Sequence, residues 1–174
     1  MTHQRSPHPF MGGSMSLYSD CEVKMRILNM GSGYNPIKGA VNLDINPACN
    51  PDVAHDLEKP LPFPDNAFDK AVGIEVMEHL KNTHEAMQEI RRVLKPEGIL
   101  ELTVPYHGLI KNIIISLLYW GTHYNPVGEH LRFYNEQSFR YIFKRNGFKI
   151  LMFKRNGNVL ASTMTITGKN SKLI

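Results

Sequence analysis

The chain has 174 residues, of which 42% are hydrophobic and 21% charged. That is enough to bury one sizeable core and too little for two full catalytic domains, and the composition excludes a disordered, collagen-like or coiled-coil protein. The formal charge of +4 hides a division: residues 1–100 carry 10 basic and 13 acidic side chains, whereas residues 101–174 carry 10 and 3. Such an asymmetry speaks about partners rather than about fold.

Residues 1–22 are rich in Pro, Gly, Ser and His and have no apolar stretch, so they read as a flexible tail and not as a signal peptide. A single domain is expected over residues 23–168, followed by a polar tail at 169–174. Cys21 and Cys49 allow one disulfide, but two unclustered thiols suit a reducing, cytoplasmic setting and make no zinc site by themselves. The longest apolar run, residues 109–120, is too short to span a bilayer.

Short apolar runs predict strands at residues 25–30, 40–45, 52–55 (weakly), 68–74 and 98–104. A helix follows the fourth strand, with Asn82 as N-cap, Glu85 three residues on, and Met87, Ile90, Val93 and Leu94 on one face. Lys95-Pro-Glu-Gly98 ends it. A second, apolar helix is expected over residues 109–120. A third is expected over residues 136–145, capped by Asn135 and closed by Gly147. Two strands, 148–154 and 159–167, flank the hairpin signal Asn156-Gly157-Asn158. Alternating strands and helices imply a parallel sheet covered by helices, and the closing hairpin adds an antiparallel strand.

Ligands of open parallel sheets sit beyond the carboxyl ends of the strands. After the first strand comes Gly31-Ser32-Gly33; after the second, Asp44; after the third, Asp56 and Leu57; after the fourth, Glu75, Glu78 and His79; after the fifth, Tyr106 and His107. The glycines let backbone approach a ligand closely, or else make a tight turn. Pro36 stands where a dinucleotide fingerprint needs its third glycine, and residues 34–39 are too few for the helix that holds a pyrophosphate, which argues against NAD or FAD. Asp44 is placed to accept both hydroxyls of a ribose, or is a turn aspartate. Asp56-Leu57 offers an acceptor and an apolar face to a purine, or a helix cap. Glu78-His79 also reads as a capping or salt-bridge pair. No zinc helix, P-loop lysine or Ser-His-Asp order is present.

These residues, with Leu61-Pro-Phe-Pro-Asp-Asn-Ala-Phe-Asp69, Val76-Met-Glu-His79-Leu, Arg91-Arg-Val-Leu-Lys-Pro-Glu-Gly98 and Gly147-Phe-Lys-Ile150, resemble class I S-adenosylmethionine-dependent methyltransferases. Within that class the chain is most similar to small methyltransferase-11-like proteins. The resemblance implies a Rossmann-like seven-stranded sheet, order 3-2-1-4-5-7-6 with strand seven antiparallel, and a cofactor site made of Gly31, Ser32, Gly33, Asp44, Asp56, Leu57 and Glu75. The glycine loop would face the methionine moiety, Asp44 the ribose, Asp56 and Leu57 the adenine, and Glu75 the sulfonium. Two departures stand out: Asn29 occupies a position where the family carries an acid, and the third glycine is missing.

His79, Tyr106, His107 and His130 are candidates for a general base, and residues 119–126 for a wall of the acceptor pocket. The acceptor is expected to be a small molecule or a glycan. It would be anionic if Lys111, Arg132, Arg140, Lys144 and Arg145 face it. A weakly active or inactive cofactor-binding partner protein is the alternative reading. A nucleic-acid enzyme is disfavoured because the fourth strand lacks the Asn/Asp-Pro-Pro-Tyr/Phe motif.

Overall fold

The computed structural model describes residues 25–119, 121, 131–157 and 162–172. The expected tail at residues 1–22 lies outside them, as do His130 and most of the 119–126 stretch. A seven-stranded sheet runs in the order β3-β2-β1-β4-β5-β7-β6. Its strands are β1 (Ile27–Met30), β2 (Val41–Asp44), β3 (Val53–Ala54), β4 (Phe68–Ile74), β5 (Leu94–Pro105), β6 (Phe148–Gly157) and β7 (Ser162–Asn170). The first five pair in parallel, and β7 runs antiparallel to both β5 and β6. This is the expected order and the expected direction of the seventh strand.

Helix α1 (Thr83–Val93) starts where Asn82 accepts the Glu85 N–H through its side chain. It buries Met87, Ile90 and Val93 in the main core. Helix α2 (Leu109–Leu118) is two residues shorter than the apolar run from which it was expected. Helix α3 (Glu136–Arg145) opens on a reciprocal capping box between Asn135 and Ser138, and sends Phe139 and Phe143 into the same core as α1. Apolar faces from two helices thus close over β1, β4 and β5, whose Leu28, Met30, Ala71, Leu100 and Leu102 are buried.

Two boundaries moved. The chain enters β5 straight from α1, and the expected turn Lys95-Pro-Glu-Gly98 becomes a bulge inside the β4–β5 ladder: Phe68 pairs with Leu94, Lys70 with Ile99. Glu97 takes φ +65° to make that bend. At the other end, β7 continues past residue 168, so the polar tail expected from 169 begins inside the sheet. The reason is long-range. The side-chain amide of Asn170, fully buried, donates to the carbonyls of Arg91, Leu94 and Lys95 at 3.1–3.2 Å, satisfying backbone acceptors that the α1–β5 corner leaves exposed.

No helix separates β1 from β2, and the chain turns at Ser32–Asn35 instead. The loop before β4 is held by Arg92 of α1, whose guanidinium donates to the carbonyls of Leu61 and Phe63 and to the carboxylates of Glu89 and Asp65. Glu89 in turn accepts the Leu61 N–H at 2.7 Å. The Leu-Pro-Phe block is therefore a clamp that fixes the loop leading back from Asp56 and Leu57 to β4.

Candidate functional site

The exits of β1, β2, β3 and β4 surround one cavity of about 420 Å³, lined by Gly31, Asp44, Ile45, His55, Asp56, Leu57, Glu58, Glu75, Val76, His79, Leu80 and Lys81. That size lies in the ordinary range for small-ligand sites. Five of the seven residues expected to bind a cofactor line it. The other two shape the loop. Ser32, buried, donates its N–H to the Leu43 carbonyl at 3.0 Å and accepts the Asn35 N–H at 2.9 Å. Gly33 donates its N–H to Oδ2 of Asp44 at 2.7 Å.

Gly31 must be glycine for two reasons. Its φ is +62°, and a Cβ there would lie 2.6 Å from Cγ2 of Val76. The loop therefore rests directly on the chain leaving β4. Glu75, the residue before Val76, is itself held at φ +52°, with its N–H donated to Thr103 of β5 at 2.8 Å. A non-glycine residue in this region is a place where backbone strain gathers at sites.

Asp44 accepts the Asn46 N–H through Oδ1 at 2.8 Å as well as the Gly33 N–H through Oδ2. Both oxygens are thereby oriented toward the cavity edge, and each keeps a lone pair for a further donor. Asp56 accepts the Glu58 N–H at 2.9 Å, closing an Asx turn. Leu57 is buried beside it and gives the cavity an apolar wall. His55 is committed: its Nε2 lies 3.0 Å from the Pro60 carbonyl. Glu58 accepts the N–H of Lys81 and ties the two walls together. Four carboxylates against one lysine make the cavity electrostatically suited to a cation.

The departure at Asn29 now has a physical reason. Asn29 is buried, and its amide donates to Asn42 Oδ1 at 2.9 Å and to the Asn35 carbonyl at 3.4 Å. Asn42 continues the network to Asp52, whose carboxyl is held below its usual range by the backbone and side-chain N–H groups of Asn42. An acid at residue 29 would set a carboxylate against the Asn42 oxygen. Asn29 thus braces β1 against β2, and it is not among the residues lining the cavity.

The candidate bases separate. His79 lines the cavity. Tyr106 faces a different hollow of about 290 Å³ with Gly108, Leu109, Ile110, Lys111 and Arg155. His107 is buried, its ring edge-on to Phe133 at 4.9 Å, and its backbone N–H is donated to the Tyr134 carbonyl. His130 lies outside the described residues.

The basic residues of the second half separate too. Arg132 reaches the cavity wall, donating to the carbonyls of Leu80 and Lys81. Arg140 is paired with Glu136 and lies over Phe153, and Arg145 is bonded to Tyr141. Lys111 lines the second hollow.

Sequence reasoning assigned no binding role to Glu78. Its carboxylate is 1% exposed, and neither oxygen has a hydrogen-bond partner. Burial pushes its pKa up, and the Glu75 charge adds to the rise. Its position two residues after the cavity-lining Val76 was visible in the sequence, but its burial was not.

A seven-stranded sheet with a reversed seventh strand, a glycine loop after β1 and a carboxylate after β2 define the class I methyltransferase fold. A methyltransferase-domain family model matches residues 17–152, and the chain belongs to that family. Its fold is similar to that of a SAM-dependent methyltransferase from Methanosarcina mazei, with a TM-score of 0.68, 18% identity, and coverage of 84% of this chain and 92% of that one. It is also similar to a chain of the Haloferax volcanii complex between a methyltransferase and the Trm112 methyltransferase activator (TM-score 0.65, 17% identity, 86% and 84% covered). A curated relative, the sterol 24-C-methyltransferase ERG6B of Gibberella zeae, is 51% identical over 39 residues. That stretch is 22% of this chain and only 10% of the relative's length. The chain thus carries a methyltransferase domain. No helix among the described residues is long and apolar enough to cross a membrane.

Proposed function

We propose that the acidic cavity binds S-adenosylmethionine and that the enzyme methylates a small-molecule or glycan-type acceptor. One observation carries the cofactor reading: Gly31, Asp44, Asp56, Leu57 and Glu75, from four strand exits, share one cavity whose charge favours a cation. The residues fit the group. The loop is pared to backbone at Gly31, so a ligand can lie against it. The two lone pairs left on Asp44 match a ribose diol. Leu57 offers an apolar face to adenine, and Asp56 an acceptor to its amine. Glu75 would be the carboxylate beside the sulfonium.

When bound, the cofactor supplies an activated methyl group, which leaves with no electrons as the C–S bond breaks and the acceptor's lone pair forms the new bond. The chain's task is alignment, with the acceptor atom about 3–3.5 Å from the methyl carbon. A hydroxyl or ammonium acceptor also needs a proton taken away, and His79 is the base candidate that borders this cavity.

Calorimetry with S-adenosylmethionine and its demethylated product tests the reading. Both should bind, and Asp44→Ala should weaken binding at least tenfold, about 1.4 kcal/mol. No heat from either ligand at high protein concentration sinks it. The finer reading of an anionic acceptor is supported by Lys81 and Arg132, which bring positive charge to the otherwise acidic rim. Raising salt should then raise the acceptor's apparent KM and leave cofactor affinity nearly unchanged. A KM insensitive to salt removes the anionic assignment alone.

A further inference from the structure

Helix α2 is turned inside out. Leu109, Ile113 and Leu117, spaced four residues apart on one line of the helix, are 77%, 49% and 77% exposed, and Ile110 and Leu118 flank them, also exposed. The side facing the protein holds Ile115 together with the half-buried Lys111 and Asn112. A soluble helix ordinarily buries its apolar stripe. A contiguous exposed one marks an interaction surface.

The charges around it narrow the partner. At the start of α2, Lys111 and Arg155 line the hollow of about 290 Å³, and Arg155 lies over the Tyr106 ring at 4.4 Å. Among the described residues neither cation has an ion-pair partner, although six other pairs form. A second copy docked on this face would set like charges against each other. Residues 1–24, with Arg5 and Lys24 balanced by Asp20 and Glu22, carry no net charge to complement it.

We infer that α2 is a membrane-docking helix: its apolar face enters the interface of an anionic bilayer, while Arg155, and the Lys111 ammonium reaching out of the hollow at the helix start, meet lipid headgroups. An apolar helix face bordered by cations is the arrangement that binds such surfaces, and a lysine stem lets its charge reach the headgroups. α2 follows directly on the carboxyl end of β5, at the edge of the parallel strands where the cavity lies. Docking therefore brings that edge toward the lipid.

Sedimentation of the full chain with phosphatidylcholine vesicles, with and without one third phosphatidylglycerol, tests this. Binding should require the anionic lipid and fall with salt. Ile113→Asp and Leu117→Asp should each weaken it at least tenfold, and Lys111→Glu with Arg155→Glu should weaken it as well. S-adenosylmethionine binding by the same variants reports separately on folding and on the cofactor reading, since none of these residues lines the cofactor cavity. Four results overturn the inference: no binding of the native chain to anionic vesicles; equal binding to neutral vesicles; binding unaffected by Ile113→Asp and Leu117→Asp; or a native dimer that those two substitutions dissociate, which makes the face a contact between copies. Vesicle binding that appears only after residues 1–24 are deleted overturns it too, because the tail then occupies the face.

Discussion

The exits of β1 and β2 and the start of α2 lie at the same edge of the sheet and are built on opposite plans. Around Gly31 nearly every polar group is committed. Asn29, Asn42 and Asp52 are bonded in series, Asp44 is tied to Gly33 and Asn46, and Val76 fills the space under the loop. Around Leu109 the cations Lys111 and Arg155 have no ion-pair partner, and the apolar residues no cover, among the described residues. The first region is rigid before any ligand arrives, which is what alignment of a transferred group demands. The second is completed only by something outside the described fold. The same chain thus separates a site that must be exact in shape from a surface that needs only the right polarity.

The sharpest way to break the first region is Gly31→Ala. The added methyl meets Val76 at 2.6 Å, and the backbone sits at φ +62°. Strain and overlap together should cost about 3 kcal/mol. Gly33→Ala is the matched control: its φ is +48°, but a Cβ there meets nothing within 4 Å. It should cost about 1 kcal/mol, from conformation alone. Gly31→Ala combined with Val76→Ala should recover the overlap part and leave the conformational part. Denaturant unfolding of the four proteins measures all of this. Equal losses at Gly31 and Gly33 would show that contact with Val76 is immaterial.

Features governed by local chemistry could be read from the sequence. Asn135 announces the start of α3, Asn82 that of α1, and Gly31 and Asp44 follow their strands at positions where backbone alone fixes the geometry. What escaped was set by distant partners. Asn170 belongs to the sheet because carbonyls at Arg91, Leu94 and Lys95, more than 70 residues away, need a donor. Asn29 departs from the family pattern because Asn42 faces it across the strand pair. Tyr106 and His107 follow the same strand, yet one faces a hollow and the other is buried. Counting from a strand end finds the edge and not the face. The apolar run of α2 was clear, but such a run does not say which way its apolar side points.

Glu78 offers the subtlest contrast, because its carboxylate is buried beside the cavity with no hydrogen-bond partner among the described residues. Its folded pKa lies above the ordinary 4.5, chiefly through burial, with the Glu75 charge adding and the neighbouring His79 charge opposing. In the unfolded chain the group ionises at its ordinary value. As pH rises through the window above that value the unfolded state loses its proton first, so stability falls until the folded pKa is passed and then stays lower. Glu78→Gln cannot ionise and escapes that penalty, while at acid pH it is close to isosteric with the protonated acid. The variant should therefore melt above the native protein at about pH 8 and together with it at about pH 4. The gain should be smaller than the Gly31→Ala loss. Melting curves that stay parallel across that range would mean that the Glu78 carboxylate finds a partner in solution and is not a buried, unpartnered acid beside the cavity.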